Sequence, residues 1–228
     1  MRYFIYLTVC CLLSLTAAGA GLCQSGPRNG EQSNSIDTAH IIRRLEQKYN
    51  NADIKAAFSQ ESTLEAMDIT DRASGRVWFK HPGMMRWEYE SPDEHAIITD
   101  GETLWIHRPA DNQVVVGDAL AYFGNGKGAS FLSNIELVKE EFAVEKLPSQ
   151  KPGFYTLKLT PGEKTLDLKQ ILLHIEKESF LIRHVVTENA YEDKTRITFE
   201  TIEFAESIPI GKFQFDIPPG ADVMQMAQ

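Results

Sequence analysis

The sequence predicts a mainly β protein with a few helices, built on a large curved antiparallel sheet that a helical lid covers. Short runs of β-branched and aromatic residues recur between turn residues along most of the chain. Tight turns at Asp100-Gly101 and at Pro109 to Asn112 separate strands that follow closely, and strands joined by such short turns must be antiparallel. No strand–helix–strand spacing and no internal repeat is present.

A helix is predicted before the strands. Asp37 is a suitable N-cap for a helix that ends near residue 51, and Ile41, Ile42, Leu45 and Tyr49 form one apolar stripe along it. The predicted strands cover residues 57–64, 75–80, 84–89, 96–99, 103–107, 113–116, 142–147, 154–160, 168–175, 181–188, 195–203 and 213–217.

The amino terminus predicts export. One arginine, an apolar stretch and the small residues Ala18-Gly19-Ala20 are typical of a signal peptide over residues 1–20, with cleavage before Gly21. Residues 21–35 are rich in Ser, Gly, Asn and Gln and predict a disordered leader, so residues 36–228 form a single domain. Cys23 leaves open the alternative of lipidation, but the bulky Leu22 before it does not suit that modification.

Charge and motifs exclude several classes of function. The net charge of -9 argues against nucleic acid or an anionic membrane as the main partner, because both require dense Lys and Arg. The sequence contains no GxSxG, HExxH or CxxC motif, and Cys10 and Cys11 would leave with the signal peptide. We therefore expect no catalytic residues, no metal site, no cofactor and no disulfide framework.

The alternation along one strand predicts an apolar face. A period of two places Met85, Trp87 and Tyr89 on one side of residues 84–89, and Arg86 with Glu88 on the other. Aromatic residues along the concave face of a curved sheet are a natural lining for a lipid cavity.

The β pattern stops between Val116 and Asn134. Asp118 can cap a short helical turn, a glycine-rich run at residues 124–128 interrupts the chain, and an apolar stretch resumes at residues 129–132. The run does not fit a phosphate-binding loop, because Lys127 precedes Gly128 and not Ser or Thr. We expect two apolar pieces with a glycine hinge that act as a lid, and its apolar residues are Leu120, Tyr122, Phe123, Phe131 and Leu132.

Several segments in this order resemble one family. The segment GRVWFKHPGMMRWEY at residues 75–89 looks like the central signature of the LolA-type periplasmic outer-membrane lipoprotein carriers. DGETLW at residues 100–105, FSQ at 58–60, FQF at 213–215 and PPG at 218–220 also fit the pattern of that family. The resemblance covers almost the whole mature chain. Within its motifs, Trp78 and Trp105 join Met85, Trp87 and Tyr89 as expected cavity residues.

The resemblance implies a fold and a function. The fold is an incomplete, half-open antiparallel β-barrel, and the protein is a soluble, monomeric periplasmic carrier that moves lipoproteins from the inner to the outer membrane. Its cargo would be triacylated lipoproteins, an inner-membrane ABC lipoprotein-releasing complex would load it, and an outer-membrane lipoprotein receptor would accept the cargo. A binder of another lipid, a periplasmic sensor module and an acyl-handling hydrolase remain alternatives, because a fold does not fix a ligand.

One residue departs from the pattern. Many members have Arg immediately before the proline of the central signature, a residue associated with tying the lid to the barrel, and His81 stands there in this sequence. Histidine can donate a hydrogen bond but lacks the guanidinium fork. We expect His81 to contact the lid more weakly than arginine would. Arg86 is a poor substitute, because alternation places it on the other face.

Overall fold

The computed structural model describes residues 37–50, 52–123, 129–163 and 165–226. Twelve strands form one sheet: β1 (Asp53–Leu64), β2 (Ile69–Lys80), β3 (Met84–Ser91), β4 (His95–Thr99), β5 (Thr103–Arg108), β6 (Gln113–Asp118), β7 (Phe142–Leu147), β8 (Phe154–Pro161), β9 (Gln170–Glu176), β10 (Ile182–Glu188), β11 (Lys194–Ala205) and β12 (Asp222–Gln225).

The strand order is β12-β6-β5-β4-β3-β2-β1-β11-β10-β9-β8-β7, so β12 and β7 are two free edges and the curled sheet stays open. Every neighbouring pair is antiparallel except β12 and β6, which run parallel. The predicted class, a mainly β half-open barrel, is confirmed. The hairpin at Asp100-Gly101 forms because the Asp100 carboxylate accepts the backbone N–H groups of Glu102 and Thr103.

The end of the chain differs from the prediction. Residues 213–217 are not a strand: a 3-10 helix occupies Ile210–Phe213, and Phe213 is fully buried under the sheet. Pro218 and Pro219 then remove two backbone donors that a strand interior would need. The last strand lies further on, at β12, and its parallel pairing with β6 could not be read from local pattern.

Within the described residues, three α-helices accompany the sheet: α1 (Thr38–Tyr49), α2 (Ala119–Phe123) and α3 (Leu137–Glu141). The predicted stripe of α1 is confirmed, because its four apolar residues are buried. Asp37 occupies the N-cap position, although its side chain makes no capping hydrogen bond. The Tyr49 hydroxyl accepts the backbone N–H of Ile182 at 2.8 Å and so fixes the end of α1 to β10.

The main hydrophobic core lies between α1, the chain around α2 and α3, and the concave face of the sheet. A second, smaller cluster lies on the convex face, where Trp78 packs with Ile208 and Phe213 of the carboxyl-terminal segment. The ammonium group of Lys212 lies 3.7 Å from the centre of the Trp78 ring and 3.1 Å from the Glu88 carboxylate. The carboxyl-terminal segment therefore packs on the convex face of the sheet, whereas the main core lies on the concave face.

In the part of the chain that the structure describes, no helix has the length and apolar character needed to cross a membrane. The predicted signal peptide, the predicted leader and the glycine run at residues 124–128 lie outside the described residues.

Candidate functional site

An aromatic cluster lines the middle of the concave face. The ring of Phe58 on β1 meets Trp87 and Tyr89 of β3 edge-on, with centroid distances of 4.8 and 5.0 Å. Phe79 of β2 packs edge-on against Trp87 at 5.6 Å, and Phe199 of β11 lies 6.2 Å from it. These contacts follow from register, because Phe58 pairs with Gly75 of β2 and with Phe199 of β11, and Gly75 pairs with Tyr89 of β3. The inward side chains of the four strands therefore lie side by side.

Two cavities open on this face. The first has a volume of about 430 Å³ and lies between the β2–β3 turn, the β4–β5 turn and the segment around α2 and α3, with Met85 and Ala119 among its walls. The second has a volume of about 340 Å³ and is lined by Gln60, Trp87, Tyr89, Ile97, Tyr122, Phe123, Thr187, Thr195 and Ile197. Phe123 belongs to the walls of both cavities. One side chain of α2 therefore separates two hollows that share the β3 face.

The residues expected in the lid differ from one another in burial. We call residues 119–123 and 129–135 the covering segment. Its residues Phe123, Phe131 and Leu132 are buried in the main core, and Tyr122 is partly buried against it. Leu120 is 76% exposed, because it points outward from the short helix at the edge of the first cavity. The Asp118 carboxylate accepts the N–H of Ala121 at 2.7 Å and caps α2, as the sequence predicts.

Two tryptophans do not lie where we expected. Trp78 is buried on the convex face, between Val77 and Phe79, which both point into the main core. Trp105 lies between Leu104, a core residue, and Ile106, and its ring faces Phe215 at 6.4 Å. The expectation that they line the cavity is therefore wrong, because the neighbouring residues Val77, Phe79 and Leu104 occupy the inward positions of these strands and both tryptophans face outward. Met85, Trp87 and Tyr89 face inward.

His81 is exposed at the β2–β3 turn. A main-chain hydrogen bond links this turn to the covering segment, since the Gly83 N–H donates to the Ser133 carbonyl oxygen at 3.3 Å. Pro82 and Gly83 line the first cavity, whereas His81 does not. Arg86 points to the convex face, where it donates to the Glu88 carboxylate at 2.6 Å and to the Lys212 carbonyl oxygen at 3.3 Å.

The polar wall of the second cavity was not predicted from the sequence. Gln60, Thr187 and Thr195 lie in three strands that neighbour one another in the sheet. The signal was present in β1, where Phe58, Gln60 and Ser62 share a face by the period of two. Which threonines of β10 and β11 line the same cavity as Gln60 depends on register, and that information is not local.

The electrostatics of the second cavity are those of a neutral site. None of the described residues that line it is charged. Burial raises the pKa of Tyr89 to about 12, so its hydroxyl stays protonated and can donate a hydrogen bond across the physiological range. Among the described residues, no group of three or more His, Cys, Asp or Glu is placed to hold a metal ion. The arrangement suits the binding of an uncharged, largely apolar ligand.

Comparisons with known proteins agree with this geometry. Residues 50–216 match the family described as outer membrane lipoprotein carrier protein LolA. An outer-membrane lipoprotein carrier protein of Alkalilimnicola ehrlichii is 29% identical over 75% of this chain and 77% of its own length. One of Pseudomonas aeruginosa is 25% identical over 83% of this chain and 89% of its own length.

A solved structure, an uncharacterized conserved protein from Thermus thermophilus, shares the fold. Its TM-score is 0.52 at 13% identity, and the match covers 83% of this chain and all of that chain. The extent of the family match, over more than half of the sequence, settles the relationship. This chain belongs to the family of LolA outer membrane lipoprotein carrier proteins.

Proposed function

We propose that this protein carries lipoproteins from the inner to the outer membrane and shields their acyl chains on the concave face of the open sheet. The observation that carries this proposal is the pair of cavities on either side of Phe123, both walled by inward side chains of β3 and covered by α2. The similarity to relatives named outer-membrane lipoprotein carrier protein supports it.

The physical need for such a cavity is large. Each methylene group removed from water contributes about 0.8 kcal/mol, so a long acyl chain will not leave a membrane unaided. A carrier must bind the chain and then release it, and this requires a cover that can move. We infer that the covering segment is this cover. A main-chain hydrogen bond at Gly83 ties it to the β2–β3 turn, and opening it requires its buried apolar side chains to leave the core. These side chains are Ala119, Phe123, Ala129, Phe131, Leu132 and Ile135.

We propose in addition a cellular location and binding partners for this protein. A signal peptide over residues 1–20 would deliver a soluble, monomeric protein to the periplasm. There an inner-membrane ABC lipoprotein-releasing complex would load triacylated lipoproteins, and an outer-membrane lipoprotein receptor would accept them. The protein performs no covalent chemistry in this proposal, since transfer requires only binding and release. Intact-mass measurement of the exported protein should find an amino terminus near Gly21 and no lipid on Cys23.

Native mass spectrometry of the protein isolated with its ligands tests the carrier role. We expect a bound lipoprotein with intact acyl chains, and its loss when Trp87 is replaced by a polar residue such as glutamine. A bound phospholipid or free fatty acid with no lipoprotein would favour the alternative of a general lipid binder. Ester hydrolysis that scales with protein concentration in clean preparations would contradict a pure carrier.

A further inference from the structure

Along the neighbouring strands β1, β11 and β10, the side chains on the concave face change from apolar to polar. On β1 the inward residues run Ile54, Ala56 and Phe58 and then Gln60 and Ser62. On β11, Phe199 and Ile197 are followed by Thr195, and on β10, Val185 is followed by Thr187. Register places Ser62, Thr195 and Thr187 side by side, and Gln60 lies one inward position earlier, beside Ile197. A band of polar side chains therefore borders the apolar part of the concave face.

Hydrogen bonds connect this band. The Tyr89 hydroxyl donates to Gln60 Oε1 at 3.0 Å, and Gln60 Nε2 donates to Ser62 Oγ at 3.1 Å. Ser62 Oγ and Thr195 Oγ1 lie 3.3 Å apart. We call Gln60, Ser62, Tyr89, Thr187 and Thr195 the polar belt. All five are partly buried, and four of them, all but Ser62, line the second cavity.

The chemistry of the polar belt limits what it can recognise. Hydroxyl and amide groups can both donate and accept hydrogen bonds, and the belt contains no charge. Burying an ionised carboxylate or phosphate beside such groups, without a cation, is costly. A neutral carbonyl can instead be accommodated by rotation of a hydroxyl or by the second proton of the Gln60 amide.

We propose that the polar belt is a subsite for the neutral ester or amide linkage of an acyl chain. Binding of the linkage there would orient the chain with its hydrocarbon along the aromatic cluster of the concave face. This inference rests on the proposed function, because it assumes that an acyl chain occupies the cavity. It adds the direction in which the chain lies and the class of head group: linkages without charge bind, and free fatty acids and phosphate-bearing groups are disfavoured.

Three probes of equal chain length test the inference with the full-length exported protein: an alkane, the corresponding methyl ester and the corresponding ionised fatty acid. Each is used to displace a fluorescent hydrophobic dye, and the ratio of ester to alkane affinity is the readout. Thr195→Val and Gln60→Leu remove belt groups with little change of shape. Thr198→Val is the matched control, because Thr198 lies on the outer face of β11 and bonds there to His184 at 3.0 Å.

The wild-type protein should prefer the ester to the ionised acid. Each belt variant should lower the ester-to-alkane ratio about fivefold, the factor expected for one neutral hydrogen bond, while the control leaves it unchanged. An equal ratio in wild type and both belt variants would overturn the subsite and leave the carrier proposal standing. If no probe displaces the dye, the proposed function is wrong and the subsite falls with it.

Discussion

Gly83 donates its backbone N–H to the carbonyl oxygen of Ser133 at 3.3 Å, and this hydrogen bond ties the β2–β3 turn to the covering segment. The contact is made by main chain and so depends on the conformation of the turn. Gly83 has φ of +73°, a left-handed conformation that favours glycine. The family pattern had suggested that the side chain of residue 81, two positions earlier, makes this tie.

Replacing Gly83 by alanine should weaken the tie. A Cβ there would meet the Gly101 Cα at 3.7 Å, which is ordinary contact, so the cost comes from the backbone. We expect the free energy of unfolding to fall by about 1–2 kcal/mol and bound dye to exchange faster. Denaturant titration and stopped-flow dye release measure the two effects. His81→Ala, at an exposed position of the same turn, should change stability by less than about 0.5 kcal/mol.

His81→Arg tests the departure from the family pattern. A guanidinium group is longer and offers five donors, so it can reach carbonyl oxygens of the covering segment that histidine does not. We expect slower release of bound dye than in the wild type. Distance distributions between a label on α2 and one near residue 81 should shift to shorter values. If both measurements are unchanged, position 81 does not control the cover.

Phe123→Ala and Leu120→Ala compare two positions of α2. Phe123 is buried in the main core and separates the two cavities, whereas Leu120 is exposed. We expect Phe123→Ala to cost about 3 kcal/mol of stability. The change should also join the two cavities, so that dye enters and leaves faster. Thermal unfolding should show little change for Leu120→Ala, and equal destabilisation by the two variants would argue that α2 does not pack as described.

A buried ion pair holds the carboxyl-terminal segment against the convex side of the sheet. Asp53 is 8% exposed; its carboxylate lies 2.6 Å from Lys80 Nζ and accepts the backbone N–H of Ile208. Asp53→Ala leaves a partly buried ammonium group and a backbone donor unpaired, so we expect a loss of about 3–5 kcal/mol. Denaturant unfolding provides the measurement.

The exposed pair Lys55–Glu203, 3.7 Å apart, is the control for Asp53. Glu203→Ala should cost no more than about 1 kcal/mol, because solvent screens an exposed pair. A similar loss in both variants would show that the burial of Asp53 is not what makes its pair important.

Two histidines predict a pH dependence of stability. Burial lowers the pKa of His174 and His184, and nearby Lys151 and Arg196 add to the effect. Both imidazoles are therefore neutral in the folded protein at pH values where the unfolded chain, with a pKa of about 6.5, already binds protons. This contribution to stability is complete above about pH 6.5 and is lost as the pH falls through the lowered pKa values.

Unfolding free energies measured between pH 7 and pH 5 test this sign. We expect a decline in the wild type and a flatter profile in the His184→Gln variant. The same slope in the wild type and in His184→Gln would exclude His184 as its source.

The sequence alone determined the local parts of this protein. The period of two in β3 indicated which side of that strand faces the core, the stripe of α1 indicated its buried side, and Asp118 marked the start of α2. Each of these depends on residues within a few positions of one another, and the preference is fixed by backbone geometry and by contact with water.

Only the tertiary structure decided the faces and levels at which distant strands meet. Val77, Trp78 and Phe79 are all apolar, so alternation allowed either face for Trp78. Its burial on the convex face depends on contact with Phe213 of the carboxyl-terminal segment. The meeting of Ser62 with Thr195 depends on the register between β1 and β11, two strands far apart in sequence. Pairing energies of this kind are sums over the whole strand, and no single turn or motif carries them.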